Sequence, residues 1–200
     1  FRLLRIITQT RDLQLLASEE KVLAMAPVNF TEFLSCCGDY FKQACMDRKV
    51  KIALTFNGEP WEETALEDVY IKADIECLEK IVFNYLSNAL KFTRIDIEIE
   101  IGLLEWNGAV RFFVRDNGPG IAPEHVPTIF NRFSESYESG NGEHEGVGLG
   151  LALVQKLAKS MGGAVGVDTL PGEGATFYYE CQQTATPQSD SPFTFAAKPW

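Results

Sequence analysis

The sequence predicts an α+β fold, a two-layer sandwich in which helices cover one face of a mixed, mainly antiparallel sheet. Three observations predict it. Ile95, Ile97, Ile99 and Ile101 alternate with Asp96, Glu98 and Glu100, and Val110, Phe112 and Val114 resume the alternation beyond an Asn107-Gly108 turn; period two marks a strand with one wet face, and Asn-Gly marks a hairpin. Ile75, Leu78, Val82, Tyr85 and Ala89 recur at steps of three and four, the stripe by which an amphipathic helix buries itself. A further helix over 149–161, stopped by Gly162-Gly163, leads into two short strands, 164–168 and 175–181. Strands of alternating polarity can bury only one face, so the helices must gather there.

The elements follow in order. Leu3, Ile6, Thr10, Leu13 and Ala17 give a helix over 2–20 with a thin seam of the kind that pairs with another chain. Pro27 breaks it, and Asn29-Phe-Thr31 offers capping side chains for a helix over 31–48. Residues 51–56 alternate into a strand, Gly58-Glu-Pro60 turns, and 69–73 form a short strand ending at Asp74, an N-cap for the helix that carries Asn84. From Ile121 to Gly146 no period is sustained, and a span that long inside a compact domain reads as a functional lid. The last residues, 182–200, are rich in Ser, Thr, Pro and Ala and read as a linker or tail.

Composition narrows the function classes. The chain has 200 residues, 46% of them hydrophobic, enough for one well-buried domain, and no stretch approaches the roughly 18 apolar residues of a membrane span. A net charge of −10 argues against nucleic acid and anionic lipid as partners, because both reward clustered Lys and Arg. Five cysteines, Cys36, Cys37, Cys45, Cys77 and Cys181, show no CxxC or metal-ligand spacing and read as reduced thiols of a cytoplasmic fragment. The chain opens at Phe1 without a signal pattern, so it reads as a piece of a longer protein that could itself be membrane-anchored.

Chemistry concentrates on one helix and two glycine turns. At 100° per residue Asn88 and Lys91 lie about 40° and −20° from Asn84, so two amides and an ammonium share a narrow arc opposite the apolar stripe. Asp116 follows a strand directly and leads into Gly118-Pro119-Gly120, where a carboxylate at a sheet edge can take an exocyclic amine. Gly146, Gly148 and Gly150 open a helix, where backbone amides can meet phosphates without a Cβ in the way. A dinucleotide fold would need that glycine loop directly after a strand, and a Walker A loop would need Gly-Lys-Ser/Thr; the sequence provides neither.

The order of the pieces carries more than any one of them. Asn84-x-x-x-Asn88-Ala-x-Lys91-Phe-Thr93, Asp116-x-Gly-x-Gly120-Ile121, Phe130-Asn-Arg-Phe133, Gly146-Val-Gly-Leu-Gly-Leu-Ala152 and Gly172-Glu-Gly-Ala-Thr-Phe177 resemble, in sequence, the N, G1, F, G2 and G3 boxes of the ATP-binding domain of sensor histidine kinases. The resemblance covers about 27–181 and implies the Bergerat ATP fold, with a lid at about 121–147. Residues 1–26 are similar to the second helix of that family's dimerisation hairpin, which implies a homodimer in the full-length protein.

By position the resemblance implies that Asn84 and Asn88 hold Mg²⁺ and phosphates, that Lys91 contacts phosphates, and that Phe92 packs on adenine. Asp116 would bind the adenine amine beside Gly118, Gly120 and Ile121, with Thr176 supporting it through a water. Gly146, Val147, Gly148, Leu149, Gly150 and Leu151 would wrap the triphosphate. Arg132 would reach the γ-phosphate when the lid carries it inward, and Phe130 and Phe133 would anchor the lid. The implied ligands are ATP and ADP with Mg²⁺. The implied partners are a phosphoacceptor histidine helix, of the same protein or its dimer mate, and a response regulator or receiver domain.

Two departures qualify these expectations. Related ATPases place a water-activating acid four residues before the first N-box Asn, and here Lys80 stands there. The only histidines, His125 and His144, both fall in the lid span, so the acceptor lies outside the chain. The alternative reading is a degenerate module that binds nucleotide and only interacts with other kinases.

Overall fold

A computed structural model describes residues 22–45, 50–61, 67–93, 96–132 and 148–187. The predicted helix over 2–20 lies outside the described residues. The Asn107-Gly108 turn forms as read: φ of 51° and 78° at its two central residues match the right-handed twist of the strands it joins, β5 (Ile97–Trp106) and β6 (Ala109–Asp116). Register then decides every face. Ile101 pairs with Val114, Leu103 with Phe112 and Ile99 with Asp116, and all six side chains are buried on the same side. On the other side Glu98 meets Lys51 at 2.7 Å, and Glu100 accepts from Thr55 Oγ1 and Arg115.

The sheet has six strands in the order β3-β2-β5-β6-β8-β7. Here β2 is Val50–Phe56, β3 is Glu59–Pro60, β7 is Ala164–Thr169 and β8 is Ala175–Gln182. Only β2 against β5 is parallel, so the sheet is mixed and mainly antiparallel as expected. Three helices lie against it: α1 (Phe30–Ala44), α2 (Ile75–Phe92) and α3 (Gly150–Ser160). Asn29 caps α1 through its Oδ1, which accepts from Glu32 N, and Asp74 caps α2 by accepting from Cys77 N. Both caps are the residues expected from the sequence.

Tertiary burial holds α2 more than intrinsic propensity does. Its stripe, Cys77, Leu78, Ile81, Val82, Tyr85, Leu86 and Ala89, is fully buried, and Tyr85 stacks between Phe112 and Phe177 while its hydroxyl donates to Tyr178 O at 2.9 Å. Leu78, Ile81, Val82 and Leu86 alone contribute about 6–12 kcal/mol of gross hydrophobic stabilisation. That anchors a helix whose opposite face carries polar side chains.

Two features differ from the sequence reading. A separate two-stranded sheet pairs β1 (Ala26–Asn29) with β4 (Tyr70–Ala73), so Pro27 sits inside a strand rather than only ending a helix; this short pair leaves room for a residue with no N–H. The expected tail from 182 is also corrected: Gln182 ends β8, Gln183 N–H donates to Gly108 O and Thr184 N–H to Tyr70 O, so the chain stays tied to the sheet through 184. No helix among the described residues is long and apolar enough to cross a membrane.

Candidate functional site

The polar face of α2 is built as its angles require. Asn84, Asn88 and Lys91 are all half-buried while the stripe behind them is closed. Asn84 Nδ2 donates to Lys80 O at 2.8 Å, which fixes the amide and turns Oδ1 outward as an acceptor. That oxygen faces the first residue of α3: a Cβ on Gly150 would overlap Asn84 Oδ1. Glycine lets the two elements approach closely, and the arrangement puts an acceptor oxygen beside the free amides of a helix N-terminus. Lys91 lies with its ammonium 4.8 Å from the Phe92 ring centroid, and partial burial pushes its pKa down.

At the other end of α2 the carboxylate of Asp116 is 7% exposed. Gly118 N–H donates to its Oδ1 at 2.8 Å. Burial raises its pKa, and the N–H donors of Gly118 and Ala175 pull the other way. Next to it stands Thr93, the C-cap of α2, 4% exposed, whose hydroxyl has no hydrogen-bond partner. A Cβ on Gly118 would lie 2.7 Å from Asp116 Oδ1 and 3.2 Å from Thr93 Oγ1, so glycine keeps this corner open.

The Asp116 turn is held by the turn between β7 and β8. Gly120 (φ 69°) and Gly174 (φ 86°) approach so closely that a Cβ on either would overlap a backbone carbonyl, of Leu170 and of Asp116 respectively. Gly172 N–H donates to Pro119 O at 2.7 Å. Thr169 Oγ1 accepts from Ile121 N at 3.0 Å and donates to Gly174 O at 2.8 Å. Thr169 was not identified from the sequence, because its partner lies 48 residues away and no local pattern marks it.

Most of the expected residues converge. Asn84 and Asn88 lead to Lys91 and Phe92, Thr93 follows, and Asp116 with Gly118 lies beyond; at 1.5 Å per residue Asn84 to Thr93 spans about 13 Å, the reach of an extended nucleoside triphosphate. Gly148 has φ of 65°, Leu149 is buried, Gly150 faces Asn84, and half-buried Leu151 follows in the first turn of α3. Phe130 packs edge-on against Phe177 with centroids 6.4 Å apart. Phe133, Gly146 and Val147, with the lid beyond Arg132, lie outside the described residues.

Two expected residues do not join the site. Thr176 pairs with Arg115 across β6 and β8, and its Oγ1 accepts from Arg115 Nε at 3.2 Å on the face away from the helices. The residue opposite Asp116 is Ala175, so Thr176 cannot support the Asp116 contact; the pleat sends it to the wrong side. Arg132 lines a cavity with Phe130, Gln155, Lys156 and Lys159. On the α3 wheel those three α3 residues stand about 140–240° from Gly150, so Arg132 lies across the helix from Asn84.

The donor set suits a magnesium nucleotide. Outward amide oxygen is a ligand that Mg²⁺ accepts beside phosphate, and an open corner with a carboxylate and an unpartnered hydroxyl suits a base edge. Among the described residues no group of three or more His, Cys, Asp or Glu could hold a metal by itself.

Comparison with known proteins agrees with this geometry. The family model described as histidine kinase-, DNA gyrase B-, and HSP90-like ATPase matches residues 73–185. The sensor histidine kinase GacS of Pseudomonas protegens is 29% identical over 181 residues, 88% of this chain and 19% of its own. Full-length ShkA in complex with AMPPNP superposes with a TM-score of 0.74 at 29% identity, over 91% of this chain and 36% of that one. Histidine kinase ThkA in complex with the response regulator protein TrrA gives 0.68 at 24% identity, over 92% and 48%. The chain thus spans about a fifth of the curated relative and less than half of either solved protein.

Proposed function

Because the chain belongs to the histidine kinase-, DNA gyrase B-, and HSP90-like ATPases, as an ATP-binding catalytic domain of the sensor histidine kinase kind, we propose that it transfers the γ-phosphoryl group of ATP to a histidine outside residues 1–200, for relay to a response-regulator aspartate. The observation that carries the transfer is the pairing of Asn84 Oδ1 with the α3 N-terminus where Lys80, not an acid, stands one turn earlier. The acid next to Lys80, Glu79, stands about 140° around the helix from Asn84. No carboxylate of this helix face can activate water, which favours transfer over hydrolysis.

In this reading Asn84 and Asn88 hold Mg²⁺, Lys91 and the first amides of α3 hold phosphate oxygens, and Asp116 receives the adenine amine. Bound Mg²⁺ neutralises charge that gathers on the phosphates. The bond from γ-phosphorus to the bridging oxygen breaks, an imidazole nitrogen lone pair takes the phosphorus, and ADP leaves. Catalysis rests on positioning, since this transfer asks little covalent chemistry of the protein. The complex of ThkA with TrrA supports a response regulator as the downstream partner. A homodimer joined through the helix expected over 2–20 belongs to the same proposal; the boundary expected at 26/27 shifts earlier, because Ala26 already pairs with Ala73 and Ala24 N–H donates to Asp74.

Transfer itself is the test. The chain is mixed with γ-labelled ATP, Mg²⁺ and a separately made helical hairpin bearing a sensor kinase's acceptor histidine. Acid-labile, base-stable label should appear on the hairpin alone, and Asn88→Ala should abolish it. Label on His125 or His144 would overturn the assignment; ATP binding without transfer to any such hairpin would make the chain an interaction module.

A further inference from the structure

Thr93 has a buried hydroxyl that the fold does not use. It is 4% exposed, closes the last turn of α2 through its N–H to Ala89 O, and its Oγ1 has no partner. A neutral hydroxyl removed from water without a hydrogen bond costs stability, and such groups persist where a ligand satisfies them. Its surroundings identify the ligand. Asp116 Oδ1 and Thr93 Oγ1 lie 2.7 and 3.2 Å from one point, the place where a Cβ of residue 118 would stand. Gly118 therefore keeps a methyl group away from both the acceptor and the hydroxyl, and the two stay on one open corner. At the register of Asp116 β8 brings no hydroxyl, since Ala175 is the residue opposite and Thr176 turns outward; the buried Tyr179 hydroxyl on the same face lies four residues further along the strand.

We infer that Thr93 is a base-reading residue of the nucleotide site: its hydroxyl donates to adenine N1, directly or through one water, while the adjacent exocyclic amine donates to Asp116. The inference rests on the ATP reading above. The two groups form an acceptor beside a donor, which matches the amine and ring nitrogen on one edge of adenine. Guanine presents a carbonyl oxygen where Asp116 needs a donor, so the pair discriminates as well as binds. Asp116 alone would read only the amine. The Lys91-Phe92-Thr93 ending of the helix then runs from phosphate contact to base contact within one turn.

The test uses the chain as it is, with ATP and 1-deaza-ATP, in which N1 is replaced by C–H and the amine is kept. By calorimetry Thr93→Val should weaken ATP about fivefold to tenfold, the worth of one neutral hydrogen bond, and Thr93→Ser should restore it. The wild type should bind 1-deaza-ATP about as weakly as Thr93→Val binds ATP, and Thr93→Val should lose nothing further with the analogue. Nucleotide-free Thr93→Val should melt no lower than wild type, because the lost hydroxyl had no partner. Unchanged ATP affinity in Thr93→Val, or an equal loss with both nucleotides, would overturn the inference while leaving the ATP site in place. Failure of the wild type to bind ATP at all would remove the proposed function and this inference together.

Discussion

Gly150→Ala separates the site from the fold. The backbone at 150 is not in the left-handed region, so alanine fits the helix, and only its methyl group is at odds with the structure, overlapping Asn84 Oδ1. To make room Asn84 must swing and give up the 2.8 Å bond from its Nδ2 to Lys80 O. One such bond is worth about 0.5–1.5 kcal/mol, and replacing glycine by alanine in a helix returns up to about 1 kcal/mol. Urea unfolding should therefore find the variant within about 1 kcal/mol of wild type. Binding should suffer far more, because the acceptor oxygen moves away from its place beside the first amides of α3. A loss of about tenfold or more in MgATP affinity is expected, equivalent to at least about 1.4 kcal/mol. In an Asn84→Ala background the same change should cost no further affinity, since the methyl group acts through that amide. MgATP affinity within twofold of wild type, at an intact fold, would refute the placement of Asn84 against α3.

Gly174→Ala should behave in the opposite way: a φ of 86° and an overlap with the Asp116 carbonyl should cost about 2–4 kcal/mol in urea unfolding. Thr169→Val, which strands Ile121 N and Gly174 O, should cost about 1–3 kcal/mol and should speed hydrogen exchange at Ile121. Asp116 makes a pH prediction. Burial raises its pKa, so between its ordinary value and that raised value the folded chain binds the extra proton, and stability falls as pH rises through the window. Asp116→Asn should remove that slope and be at least as stable as wild type above the window, while wild-type ATP affinity should fall as pH drops through the raised value.

The parts of this fold that could be read in the sequence are those with local causes. Asn29 and Asp74 cap helices through donors three residues away, and Asn107-Gly108 closes its hairpin through its own dihedrals. The apolar stripe of α2 forced Asn84, Asn88 and Lys91 onto the open side, so that face was correct before any contact was known. Long-range pairings were less visible: β1 is four residues with a proline, and nothing in it points to β4 about 45 residues on. Thr169 and Thr93 likewise act through partners, or the lack of one, that only packing decides. Thr176 is different, because alternation could have corrected it. Phe177 and Tyr179 are the buried residues of β8, so 175 shares their face and 176 cannot; position in a motif overrode the pleat.

The central claim is that the groove along α2 binds a magnesium adenine nucleotide, and calorimetry of this chain with MgATP and MgGTP tests it most directly. One ATP per chain should bind, GTP at least tenfold more weakly, with Asn88→Ala and Asp116→Asn each losing about tenfold or more while retaining the wild-type fold. Equal affinity for ATP and GTP, or an Asp116→Asn variant that binds ATP as the wild type does, would contradict the account.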